Sequence, residues 1–271
     1  MKLIRFDLLG IGGELHNSAQ AGLFLLLLSI ITDCATVGVN SYQDADTLGK
    51  GKYTTGLALE CGRKMDAGIE TYSGNIEIQQ DPLNINEFLF PILELGGQYG
   101  ITGVTDIGLA LGSNIATNQL VFSLKQKLLP IHQNFAIALM PSFGIFSSTS
   151  ENSEISLSDT KYEERDKFSG TLLNVSVIIS KRWDNFSFNL SPKYMYHSLK
   201  VNTDYRGPSS ISINSDERNF DFNSYGTSIG FSVTSSRIKF TPEISLLRLK
   251  DLTKDSYRFI PYPGIGLYLK F

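Results

Sequence analysis

The sequence predicts an all-β chain, folded as an antiparallel up-and-down transmembrane β-barrel of about ten strands. Three observations carry that prediction. From Lys52 onward apolar residues recur at every second position, segment after segment, and no stretch keeps a helical 3.6 spacing for three turns. The links between these segments alternate between short and long. The chain also opens with an apolar run of secretion-signal length and closes on an alternating strand that ends in Phe271.

A chain of 271 residues holds one large domain or two small ones, and with no composition shift to mark a boundary, one barrel domain over 52–271 is the simpler reading. A formal charge of -3 and a pI near 5.7, with Lys and Arg scattered, argue against nucleic acid as a partner. The mean hydropathy is -0.04, and after residue 34 no apolar run approaches the roughly 20 residues of a membrane helix, which excludes an α-helical membrane protein. A barrel escapes that test because only alternate residues face lipid.

At the N-terminus, GLFLLLLSII (22–31) follows Lys2 and Arg5, so residues 1–33 read as a secretion signal whose core is too short to span. Asp7 and Glu14 make the stretch before it long for a signal, which leaves a start downstream of Met1 as an alternative. SIITDCATVG resembles the lipobox of bacterial lipoproteins, making Cys34 a lipidation candidate, although Asp33 stands where that pattern has a small residue. The alternative is a plainly cleaved signal with Cys34 removed or unmodified. Cys61 is the only other cysteine, and an acylated Cys34 could not pair with it. Residues 34–51 then form a periplasmic N-terminal segment.

Each predicted strand has one greasy face and one small or polar face. Residues 52–61 set Tyr53, Thr55, Leu57 and Leu59 against Lys52, Thr54, Gly56, Ala58 and Glu60. In 89–99, Leu93, Leu95 and Tyr99 oppose Glu94, Gly96 and Gln98; in 105–112, Ile107, Leu109 and Leu111 oppose Asp106, Gly108 and Ala110. Leu120, Phe122, Leu124 and Leu128 oppose Ser123, Lys125 and Lys127 in 119–128, and Ile137, Leu139, Phe143 and Ile145 oppose Ala136, Ala138 and Ser142 in 135–146. The split continues through 171–181 (Leu173, Val175 and Val177 against Asn174 and Ser176) and 186–197 (Phe186, Phe188, Leu190 and Tyr194 against Ser187, Asn189, Lys193 and His197). It ends with 224–234 (Tyr225, Ile229 and Phe231 against Ser224, Ser228 and Ser232), 237–248 (Ile238, Phe240 and Ile244 against Lys239, Thr241 and Glu243) and 259–271 (Ile265, Leu267, Leu269 and Phe271 against Gly264, Gly266, Tyr268 and Lys270).

Alternation alone does not separate a soluble barrel with its apolar face inside from a membrane barrel with that face outside. The links decide. Those at 100–104, 129–134, 182–185 and 235–236 are tight, those at 62–88, 147–170 and 198–223 are long and polar, and 113–118 and 249–258 are intermediate. With both termini periplasmic, every long link falls outside the cell. Small faces rich in Gly, Ala and Ser also suit a crowded lumen better than a water-facing surface.

The last strand resembles the assembly signal of bacterial outer-membrane barrels, an alternating strand with a terminal aromatic, and Ile265, Leu267, Leu269 and Phe271 match it. The hairpin LGGQYGITGVTDIGLALG at 95–112 resembles hairpins of the same broad class. The resemblance implies residence in the cell outer membrane, with membrane lipid and the barrel-assembly machinery as partners. It singles out no substrate.

Inward positions carry Glu60, Glu94, Asp106, Lys125, Lys127, Lys193, His197, Lys239 and Glu243, a mixture of signs in a narrow bore. They are expected to pair, filling the lumen, because unpaired buried charge is costly; a narrow polar pore passing small solutes or ions is the functional reading. His132, in a predicted turn, and His197, near the other end, cannot share a site, and His197 with Ser187 or Asp204 imitates a hydrolase triad without its spacing. The charged loop 151–167, with Glu151, Glu154, Asp159, Glu163 and Glu164, lacks calcium-loop spacing and reads as solvated surface. Gly96, Gly97 and Gly100 precede no helix and read as close packing or strand bending rather than a phosphate loop. Tyr53, Tyr99, Trp183, Phe186, Tyr196, Phe259, Tyr262 and Phe271, near strand ends, read as interfacial girdles. The expectation is a structural or narrow-pore barrel with no catalytic residue, metal or cofactor; the alternatives are a soluble periplasmic ligand-binding barrel and a barrel-embedded enzyme.

Overall fold

The computed structural model describes residues 40–66, 69–71, 78–80, 84–114, 117–132, 134–148, 151–157, 160–206, 212–251 and 256–271. The strands are β1 (Tyr53–Asp66), β2 (Ile69–Thr71), β3 (Ile78–Gln80), β4 (Asn84–Gly100), β5 (Thr105–Ser113), β6 (Thr117–His132), β7 (Phe135–Ser148), β8 (Glu151–Leu157), β9 (Thr160–Trp183), β10 (Phe186–Arg206), β11 (Ser212–Thr234), β12 (Ile238–Asp251) and β13 (Ser256–Lys270).

Ten of these pair antiparallel around a closed ring: β1, β4, β5, β6, β7, β9, β10, β11, β12, β13 and back to β1. Closure joins the ends of the chain, with Thr54 opposite Lys270 and Leu57 opposite Leu267. The backbone N–H of Phe271 donates to the Tyr53 carbonyl at 2.9 Å. A ring leaves no barrel strand with an unpaired edge, which a bilayer demands. β2 and β3 form a small hairpin within the β1–β4 link, and β8 pairs with the first part of β9.

The period-two pattern turns its apolar face outward. Leu57, Leu95, Leu109, Phe122, Phe143, Leu173, Phe188, Phe231, Phe240 and Leu267 are each between 39% and 53% exposed. Residues of the opposite parity, among them Thr54, Ala58, Ser176, Ser180, Ser228 and Thr241, are buried. A soluble barrel would need the reverse, and that alternative does not fit. Inside, short polar side chains bind one another across strands: the Ser180 hydroxyl donates to Asn189 Oδ1 (2.7 Å), the Asn189 amide to the Ser232 hydroxyl (3.2 Å), and the Ser232 and Thr241 hydroxyls bond at 3.2 Å. This belt ties β9 to β12 and satisfies hydroxyls that water does not reach.

The tight links gather at one end. Ile101 N–H bonds the Thr105 carbonyl and Ser235 N–H the Ile238 carbonyl, while Asp184, at φ 48, turns between β9 and β10. Aromatics surround this short-turn end, with Tyr53 stacked on Phe271 at 4.8 Å and Trp183 tilted against Phe186 at 6.0 Å.

Two expectations are corrected at the opposite end. The links 147–170 and 198–223 are mostly strand rather than loop: β8 pairs Glu154 with Glu163, and β10 runs on to Arg206 against β11, with Asn202 opposite Glu217. Residues 158–159 and 207–211, between these paired strands, lie outside the described residues. The lumen is also not uniformly small and polar. Phe146, Phe168, Leu172, Met195, Leu199, Val201, Leu247, Leu249 and Tyr262 form a buried apolar cluster on the inward register. In β10 the apolar residues therefore change parity, from outward Phe186, Phe188 and Tyr194 to inward Leu199 and Val201. A change of parity within one strand imitates a strand end.

Candidate functional site

Residues 40–51, assigned by sequence to a periplasmic segment ahead of the barrel, instead run inside the ring. They enter at the short-turn end, where Gly51 N–H bonds the Gly100 carbonyl and the Thr47 hydroxyl bonds the Gly103 carbonyl. Gly49 and Gly51 have φ of 90° and 78°, values that a side chain would strain, and a Cβ at Gly100 would strike the Gly49 carbonyl. The glycines let the segment fold back against the rim. From there Leu48, Asp46, Asp44 and Tyr42 lead inward to Asn40.

The lumen side chains expected to pair with one another largely pair with this segment. Asp44 lies 3.1 Å from Lys239, and Asp46 lies 2.8 Å from both Lys127 and Arg182. Lys125 is held by Asp106 at 3.1 Å and donates to the Asp46 carbonyl at 2.7 Å. The Leu48 N–H donates to both Asp106 carboxylate oxygens at 3.1 Å, and Ala45 N–H to the Ser180 hydroxyl at 2.7 Å. Deeper in, Glu243 accepts the N–H groups of Ser41 (3.1 Å) and Tyr42 (2.8 Å) and sits 3.8 Å from Lys193. Glu60 accepts the Asn40 N–H at 3.1 Å, and the Asn40 amide donates to the Tyr262 carbonyl. Glu94 is buried and borders a small cavity of about 80 Å³ beside Asn40 and Ser41.

Tyr42 anchors the segment. It is fully buried with Ala58 and Tyr268, and its hydroxyl donates to the Leu59 carbonyl at 3.3 Å. A Cβ at Gly264 would collide with that hydroxyl, so the missing side chain is what admits the ring. Its φ of 50° is an uncommon conformation for a bulky residue, held here by the surrounding contacts. Burial, then the nearby carboxylates of Glu60, Glu243 and Glu94, hold the phenol protonated far above its usual range. Burial alone would raise the Asp44 carboxyl, but Lys239 and Lys125 outweigh it and hold the group below its ordinary value. At the short-turn mouth, the segment and the ends of β12 and β13 enclose a cavity of about 470 Å³.

His197 is buried in the upper lumen, stacked on Phe222 at 4.6 Å and bonded to the Ser224 hydroxyl at 3.1 Å. Ser187 lies ten residues away along the same strand, on the order of 30 Å, so the structure does not bring the two together. His132 closes β6 opposite Phe135. Glu151, Glu154, Glu163 and Glu164 lie on β8 and β9, while Asp159, Cys34, His16 and the whole stretch 1–33 that the sequence suggests as a signal lie outside the described residues. Cys61 lies half-buried on β1. Ile265, Leu267, Leu269 and Phe271 all point outward from β13 and the residue after it.

The sequence pattern of the family described as "Membrane bound beta barrel domain (DUF5777)" matches residues 91–247. The chain belongs to this family. No curated relative matches it. Among solved structures, the outer membrane protease OmpT from Escherichia coli is similar at 12% identity and a TM-score of 0.50, over 81% of this chain and 94% of that one. The translocator domain of autotransporter NalP from Neisseria meningitidis is similar at 12% identity and a TM-score of 0.42, over 94% and 96%. At such identities the likeness is one of fold. Membership in the DUF5777 family, the outward apolar belt and the closed ring together make this protein an outer-membrane β-barrel of the bacterial type.

The family match begins at Pro91 and so does not include the segment that fills the bore. Sequence reasoning missed that segment because NSYQDADTLGKG reads as an ordinary polar linker. The one usable signal was an excess of inward lysines over inward carboxylates at the short-turn end, which left Lys125, Lys127 and Lys239 wanting partners from elsewhere.

Proposed function

We propose that this protein is a structural or narrow-pore barrel without a catalytic role, closed at rest by residues 40–51, with its short-turn end and both termini toward the periplasm. The carrying observation is that Asp44, Asp46 and the backbone of residues 40–48 occupy the positions around Lys125, Lys239 and Glu243 that a passing solute would use. The apolar cluster fills the bore beyond them. A non-catalytic role is supported by the surroundings of His197: it bonds the Ser224 hydroxyl, but among the described residues no carboxylate is bonded to its ring to orient it, and the pair is buried beneath Phe222. The proposed orientation is supported by the tight turns at one end and the tall hairpins at the other.

Planar-bilayer recording tests this reading. The intact refolded protein is expected to be silent or nearly so, and deletion of residues 40–50 to give discrete conductance steps. Equal conductance from both proteins would end the resting-plug reading, and silence from both would leave only the structural role.

A further inference from the structure

The short-turn mouth carries charge that the plug does not neutralise. Five cationic side chains, Lys52, Lys125, Arg182, Lys239 and Lys270, line its cavity of about 470 Å³, against the carboxylates of Asp44 and Asp46. Lys125 and Lys239 are committed to Asp106 and Asp44, and Arg182 to Asp46. Lys52 and Lys270 have no ion-pair partner among the described residues. Lys239 and Lys270 sit on the inward register of β12 and β13, opposite the lipid-facing Ile238 and Leu269. A lipid headgroup would have to cross the wall to reach them, whereas a solute at the mouth meets them directly.

We propose that this vestibule is a binding site for a soluble polyvalent oxyanion of the phosphate class, seated between Lys52 and Lys270 with Lys239 and Arg182 at its sides. A concave site with like charges on several walls focuses potential on its centre, and a compact anion of two or more charges answers it better than chloride. The site is independent of conduction, because binding is read at equilibrium whether or not the bore opens.

Titration of the full refolded protein in uncharged detergent with inorganic pyrophosphate, at low salt, is expected to saturate at one site. Lys52→Gln with Lys270→Gln should weaken binding at least tenfold, and Lys181→Gln, whose amine lies over the outer face of Trp183, should leave it unchanged. A heat-modifiable gel shift verifies that each variant is folded. On the unaltered protein, pyrophosphate should protect Lys52 and Lys270 from an amine-reactive label, read by mass spectrometry. Absence of saturable binding, undiminished binding by the double variant, or equal labelling with and without pyrophosphate would each overturn the site.

Discussion

Asp44 shows how one side chain can hold a segment in a bore. It is almost fully buried, and Lys239 and Lys125 keep its carboxyl below the ordinary 3.8 despite the opposing effect of burial. A depressed folded value means that this hold is complete above the unfolded value and disappears only as pH falls through the lower folded one. Pepsin should therefore leave residues 40–51 uncut near about pH 4 and cleave them only in stronger acid. Asp44→Asn, which strands Lys239, should weaken docking by about 3–5 kcal/mol and expose the segment to a broad-specificity protease at neutral pH. Resistance of that variant equal to the parent's would show that Asp44 holds nothing. At this scale the sequence was readable for the wall and unreadable for its contents. Once Leu57 and Leu59 face lipid, Glu60 has only the lumen to occupy, and the same parity places Lys125, Lys239 and Glu243. Nothing comparable constrains Asp44 or Tyr42, whose places depend on tertiary contacts with Lys239 and the notch at Gly264.

Among the elements, the seam between β13 and β1 is the last pairing the chain can complete, since its partners lie at opposite ends of the barrel sequence. Phe271 secures it twice, by its N–H bond to the Tyr53 carbonyl and by its ring stacked on Tyr53. Phe271→Ala should retain the bond and lose the stack, lowering stability in urea titrations from vesicles by about 1 kcal/mol. Removing Phe271 altogether should slow folding as well, and an unchanged midpoint and rate would dismiss the residue's part in closure. Strand existence was legible wherever one face meets lipid, as in β5 and β13. Strand length was not: past His197 the apolar residues of β10 move to the inward parity, at Leu199 and Val201, so the ladder with β11 continues where the outward signature that announced it stops.

For the whole molecule, the apolar belt and aromatic rim fix its depth in a bilayer. Trp183 is 47% exposed and stands at the short-turn rim beside Phe186, where an amphipathic ring sits at headgroup level. Lipids brominated close to the glycerol should quench its fluorescence more than lipids brominated near the chain end. The opposite ranking would move the belt and reverse the assignment of rim and core. As the protein's only tryptophan, it reports this depth without interference. Fold class and membrane placement were thus both present in the sequence, because lipid acts on every outward side chain, whereas the plug answers to a handful of specific contacts.

The unequal heights of the strands have a consequence for whatever meets the protein from outside. β11 has 23 residues and at a barrel tilt climbs roughly 55–60 Å, more than twice the apolar band of about 25 Å, while β5 has only 9. The side built by β9, β10 and β11 therefore stands up as a ribboned screen, while β5 ends near the lipid surface. A large molecule approaching over the β9–β11 side meets these raised strands well before it meets the bilayer, whereas over β5 it reaches the lipid surface directly.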